Sequence, residues 1–135
     1  MIPFALTGTG DHWCWWPERE GVVVLCPHDD QTGTVYARTT LTAVYRQALE
    51  LVSSLEDVAS EAAVRAMLER YVIDLGPLLP DGCRETLRWV QSEPVKNWKV
   101  GRWEQRGLIT PKERDERQAR DLALPALDEQ FRCAA

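Results

Sequence analysis

The spacing of apolar side chains changes from alternation to a helical period near residue 39, and nothing else in the chain limits its fold so tightly. Before that point, short β-prone runs are separated by turn residues. After it, Leu41, Val44, Tyr45, Ala48, Leu49, Val52 and Leu55 recur at helical intervals, with Thr39 or Thr40 available as an N-cap. Such a chain builds a sheet first and then lays the apolar stripe of a helix along one face of it.

The early runs read as four strands. Ile2–Leu6 is the first, and Pro3 suits a strand start or an edge. Thr7-Gly8-Thr9-Gly10-Asp11 is a turn in which Asp11 is expected to bond local amides. His12 to Pro17 and Val22 to Pro27 form a hairpin. A three-residue loop ending at Gly21, where φ would be positive, pairs Glu18 with Val22. That register sets Trp16 opposite Val24, Cys14 opposite Cys26, and His12 opposite His28. Trp13, Trp15, Val23 and Leu25 then share the other face. Asp29 to Gly33 turns the chain, and Thr34 to Arg38 returns.

The remainder reads as helical. Val58, Val64, Met67, Leu68, Tyr71, Val72 and Leu75 carry a second helix, which Gly76-Pro77 stops. Asp81 is the predicted cap of a third helix reaching Ser92, with Leu87 and Val90 inward and Trp89 beside them. Glu93-Pro94 ends it. Val95 to Ile109 reads as a connector. Thr110-Pro111-Lys112-Glu113 has the signature of a capping box, and the charged helix it opens should break at Pro125. The predicted class is therefore α+β: an antiparallel β-meander of about four strands (1–39), covered by about four helices in a mainly helical remainder (40–135), all in one domain.

Charge and cysteine usage narrow the partners. Residues 1–93 hold 14 acids and 7 bases, giving −7, whereas residues 94–135 hold 7 acids and 9 bases, giving +2. The front of the chain repels nucleic acid and attracts basic proteins. No apolar run approaches the ~20 residues of a membrane span, and no basic segment leads into an apolar stretch, so no membrane association and no secretory leader are expected. Cys14, Cys26, Cys83 and Cys133 lack zinc-ribbon spacing and are expected to be thiols in a reducing cytoplasm.

Four constellations hold residue types capable of chemistry. His12, Cys14, Cys26 and His28 share one hairpin face in the predicted register, and zinc accepts two thiolates with two imidazoles. A flat sheet face resists tetrahedral placement, so packed thiols are the plainer reading and a cross-strand disulfide the third. Cys14 or Cys26 with His28 and Asp29 supplies the types for nucleophilic catalysis, but nearby acids raise a thiol pKa where catalysis needs it lowered. The Thr7–Asp11 run has the glycines of a phosphate loop without its Lys or its helix. Lys96-Asn97-Trp98-Lys99-Val100-Gly101-Arg102-Trp103, followed by Arg106, interleaves bases with indoles as a single-strand-binding surface does. The plainer alternative is that both indoles anchor a connector. No catalytic role, metal or cofactor is expected.

The runs Pro3-Phe4-Ala5, Thr7-Gly8-Thr9-Gly10-Asp11, Trp13-Cys14-Trp15, Val23-Val24-Leu25-Cys26, His28-Asp29-Asp30, Val35-Tyr36-Ala37 and Tyr45-Arg46-Gln47-Ala48-Leu49-Glu50 together resemble the SUKH superfamily, which holds Smi/Knr-type regulators and many bacterial immunity proteins. Members usually carry helices before the Pro-Phe strand, where this chain opens. The resemblance therefore implies a relative shortened at the N-terminus, or one in which the chain after residue 55 supplies the cover. It also implies a partner: a cognate bacterial toxin, with nucleases prominent among such toxins. An acidic, indole-bearing surface can occlude a basic cleft. The expected contact residues are Asp11, Glu18, Glu20, Asp29 and Asp30, with Trp13 or Trp15 as anchor. Ordinary turn solvation is the plainer role for any single one of these acids. The competing function is a nucleic-acid-binding or regulatory adaptor working through residues 96–106.

Overall fold

In the computed structural model, which describes residues 1–55 and 60–133, the elements follow in the order β1 (Ile2–Leu6), β2 (His12–Trp16), β3 (Val22–Cys26), β4 (Thr32–Ala37), α1 (Thr40–Val52), α2 (Glu61–Asp74), α3 (Asp81–Ser92), β5 (Lys96–Val100), β6 (Trp103–Gly107), α4 (Pro111–Leu122) and β7 (Gln130–Arg132). The class is α+β, with four helices and a four-stranded N-terminal meander as expected. Val58, part of the second helical pattern, lies outside the described residues. Residue contacts divide the chain into two compact units: Met1–Ala43 with the chain from Leu122 onward, and Val44–Asp121.

The first unit is a sheet in the order β1-β2-β3-β4-β7, antiparallel throughout. The predicted hairpin register is corrected by two residues: Trp16 faces Val22, Cys14 faces Val24, and His12 faces Cys26. Pro17 is the reason. It has no N–H for the ladder, and its fixed φ opens a 3-10 turn over Pro17–Arg19 instead. Glu20 (φ 59°) and Gly21 (φ 74°) then both take left-handed backbone, and the Gly21 N–H donates to the Trp16 carbonyl at 2.9 Å. Because the shift is even, the two faces keep their membership. One face buries Cys14, Val22, Val24 and Val35, with Trp16, Leu124, Ala126 and Phe131 against them. The other buries Val23, Tyr36, Ala37 and Ala43, with Phe4 and Trp13. Thr39 caps α1, accepting from the Thr42 N–H at 3.2 Å.

The second unit holds the rest of α1, then α2, α3, α4 and a two-stranded sheet. Tyr45, Leu49, Val52, Leu55, Leu68, Leu87, Val90, Leu108 and Ile109 are its large fully buried side chains among the described residues. Two expectations are corrected here. Asp81 does not cap α3. Pro80 occupies that position, and Asp81, the first helical residue, accepts from Arg84. Residues 95–109 are not a connector but the β5–β6 hairpin, paired from Lys96↔Gly107 to Val100↔Trp103 about a turn in which Gly101 has φ 61°. The capping box forms as read: the Glu113 N–H donates to Thr110 Oγ1 at 3.2 Å, and the Thr110 N–H to Glu113 Oε1 at 3.0 Å. α4 stops at Leu122, before Pro125, with Ala123 at φ 46°. Among the described residues no helix is long and apolar enough to cross a membrane.

Candidate functional site

Two turns of the first unit are fastened together by one carboxylate. Asp11, which closes the turn before β2, does not bond local amides as expected. Its Oδ1 accepts from the His28 backbone N–H at 3.1 Å and is joined to the His28 Nδ1 at 2.7 Å. The Thr9 hydroxyl adds a bond to Oδ2 at 3.3 Å. The side-chain bond to Asp11 holds the His28 imidazole above its usual pKa, and the same bond holds Asp11 below the usual carboxylate value. Asp29 brings a third donor atom, and the three ligand atoms lie within 4.8 Å of one another. The ion pair already engages the Nδ1 and the carboxylate oxygen that a cation would need.

Beside this pair the turn between β3 and β4 opens onto a cleft of about 790 Å³, lined by His28, Asp29, Asp30, Gln31, Phe131 and Arg132 among others. Asp30 Oδ1 accepts from the Thr32 N–H at 3.1 Å, a side-chain turn that fixes the loop. Gln31 ties it to β7: its Oε1 accepts from Arg132 at 2.9 Å and its carbonyl from the Cys133 N–H at 2.6 Å.

The expected partner-contact residues divide into three places. Asp11, Asp29 and Asp30 meet at this end of the sheet. Glu18 and Glu20, both exposed, stand at the opposite end of the β2–β3 hairpin, about 17 Å away over five strand residues. Trp13 is half-buried, edge-on to Tyr36 at 4.5 Å. Trp15 is the outward indole, 37% exposed, stacked on Phe4 at 4.4 Å and donating to Thr40 Oγ1 at 2.9 Å.

The predicted His12, Cys14, Cys26, His28 set is not assembled. His28 lies beyond β3 and turns to Asp11, because the register pairs Cys26 with His12. His12, Cys14 and Cys26 remain on one face, joined by Met1 and Cys133, which sequence reading left out. Burial, then the neighbouring Cys133 and Cys14, pushes the Cys26 thiol well up from its usual pKa. A thiol so placed is protonated at neutral pH, the reverse of an activated nucleophile.

In the second unit the basic-aromatic run forms a hairpin tip. Trp103 is 66% and Val100 57% exposed, and the Arg102 guanidinium lies 5.6 Å from the Trp103 ring centre. Trp98 is half-buried. Trp89 of α3 is held between Arg117, 4.1 Å from its ring centre, and Lys96, at 5.2 Å.

Negative charge is concentrated in the first unit. It carries 7 acids and 3 bases, or −4, against 14 acids and 13 bases, or −1, in the second. Comparison with protein-family models, with curated proteins and with solved structures finds no match to this chain.

Proposed function

We propose that this chain is a non-catalytic binding protein that captures a basic protein partner through the Asp11, Asp29 and Asp30 end of its sheet, as an immunity protein of SUKH type captures a cognate toxin. The observation that carries the reading is that Asp29 and Asp30 line a polar cleft with Asp11 close beside Asp29, on a unit holding −4 of the −5 net charge. Broad, polar and acidic, such a surface suits lysines and arginines that otherwise grip phosphate. Trp15 offers an exposed aromatic anchor on the same sheet. The protonated state of Cys26 supports the absence of thiol catalysis.

The test is calorimetry and toxin inhibition with the protein encoded beside this gene. The expected result is a one-to-one complex that silences the neighbour. Asp29→Lys combined with Asp30→Asn should weaken it by at least ~10-fold, while Glu18→Lys should change affinity little. No complex with the neighbour, or a complex indifferent to both acidic positions, would overturn the proposal.

A second reading is favoured by the hairpin tip alone: Trp103 with Arg102 and Lys99 is a platform for a single-stranded base. It predicts oligonucleotide binding that falls steeply with salt and is lost in Trp103→Ala.

A further inference from the structure

One face of the first unit gathers its four sulfur-bearing residues onto a single cavity of about 440 Å³, lined by Met1, His12, Cys14, Cys26, Asp30 and Cys133 among others. Three separate features of the fold put them there. The β2–β3 register sets His12 opposite Cys26 and Cys14 one step further along the same face. The β1–β2 pairing brings Pro3 against Cys14, and with it the start of the chain, so that Met1 Sδ lies 3.9 Å from Cys26 Sγ. Cys133 arrives from the far edge of the sheet. Its N–H is fixed to the Gln31 carbonyl, and its side chain lies over β4 at Gly33, where a Cβ would sit only 2.8 Å from its sulfur. Gly33 is the one residue type that leaves this passage across β4 open. Three thiols, a thioether and an imidazole therefore face one space, with Cys26 between the other sulfurs.

We infer that this cavity binds one soft monovalent d10 cation, cuprous copper, through the thiolates of Cys26 and Cys133, with Met1 as a further sulfur donor and with Cys14 and His12 in the cavity wall. The donor set selects the metal. Thiolate and imidazole alone would suit zinc as well, so it is the Met1 thioether beside Cys26 that tips the set toward cuprous copper, while hard cations take oxygen. Binding releases one proton from each ligating thiol, so a two-thiolate complex of a monovalent cation leaves a single negative charge with no change of oxidation state. This inference is independent of the docking surface and stands if that surface has another partner.

The experiment is an anaerobic titration of the reduced full chain with cuprous copper held by a coloured chelator. One equivalent should leave the chelator, and X-ray absorption should report a sulfur first shell. Cys26→Ser and Cys133→Ser should each lose affinity by more than the roughly 10–100-fold that removal of a supporting residue costs. Cys83→Ser, in α3 of the other unit, should leave it unchanged. A readout that needs no variant is alkylation mapped by mass spectrometry: cuprous copper should protect Cys26 and Cys133 and leave Cys83 as reactive as before. No transfer from the chelator, a nitrogen- or oxygen-dominated shell, or protection that omits Cys26 and Cys133 would overturn the inference.

Discussion

Asp121, at the end of α4, has a side chain only 1% exposed, and three donors reach its two carboxyl oxygens. The Tyr45 hydroxyl and the Thr86 hydroxyl each donate to Oδ2 at 2.5 Å, and Arg120 Nε donates to Oδ1 at 2.8 Å. Burial first, and then Asp121, pushes the Tyr45 phenol above its usual pKa, so it remains a donor throughout the ordinary pH range. Asp121→Ala would leave two buried hydroxyls without their acceptor, and should cost about 3 kcal/mol in a urea melt. Tyr45→Phe removes one donor and leaves two, and should cost about 1 kcal/mol. The Asp11–His28 pair, by contrast, answers to pH. His28 has its pKa raised from 6.5, so its contribution is complete below 6.5 and is lost as pH rises through the raised folded value. Asp11 has its pKa lowered from 3.8, so its contribution is complete above 3.8 and is lost as pH falls through the depressed folded value. The link between the two turns is therefore fully formed between 3.8 and 6.5. A proton NMR titration should place the His28 imidazole above an ordinary histidine, and Asp11→Asn should return it toward 6.5. An unchanged His28 in that variant would sever the assignment.

Among the elements, two glycines mark where backbone and side chain come closest, and they should differ in cost. A Cβ at Gly107, where β6 ends, would meet the Ser53 and Val52 backbone at 2.9 Å, just where the Leu108 N–H donates to the Val52 carbonyl at 2.8 Å. Backbone on both sides cannot yield, so Gly107→Ala should destabilise by about 3 kcal/mol and expose the Leu108 amide to hydrogen exchange. A Cβ at Gly33 would overlap the Phe131 ring and meet Cys133 Sγ at 2.8 Å. Those are movable side chains, so Gly33→Ala should cost less, about 1–2 kcal/mol, and should loosen β7 selectively. Equal losses in the two variants would contradict the distinction. Elements of this kind explain what the sequence left hidden. The meander and α1 were legible because their apolar periods persist over several residues and their turns carry glycine. α3 and the Thr110–Glu113 cap were legible for similar reasons. β7 has three residues, too few to show a period, and its partner β4 lies about 100 residues earlier in the chain. β5 and β6 place Lys, Asn, Glu, Gln or Arg at six of their ten positions, so no apolar alternation betrayed the hairpin. Of the candidate site, the acidic turns could be read. The separation of Glu18 and Glu20 from Asp29 and Asp30 follows from the same predicted hairpin, which carries the two groups at its opposite ends, so pooling all five as one contact surface went against it. Cys133 entered the sulfur cavity only through β7, and was hidden with it.

At the scale of the whole molecule, charge is distributed by unit more than by chain order. The first unit holds −4 although it contributes fewer residues, and the second is nearly balanced at −1. The balance in the second unit is local: Arg46–Glu50, Arg65–Glu61 and Arg70–Asp74 pair along their own helices, and Lys96 meets Glu113 at 3.0 Å. Opposite charges so close cancel within a few ångströms and project little field. In the first unit, Arg19 pairs with Glu129 at 3.2 Å and His28 with Asp11, while acids outnumber bases by four. On the proposed reading, a basic partner is drawn to the sheet more than to the helices. The effect belongs to the encounter more than to the final complex, since long-range attraction raises the association rate and the close contacts set dissociation. Raising salt from low ionic strength to about 0.15 M shortens the screening length to about 8 Å and should slow association with the basic partner by at least ~10-fold, with a dissociation rate changed little. Neutralising Asp29 and Asp30 together should flatten that salt dependence, while neutralising Glu61 and Glu69 on α2 should leave its slope intact. Stopped-flow measurements over a salt series read both slopes directly. Parallel slopes for all variants would mean that the sheet's charge has no part in finding the partner.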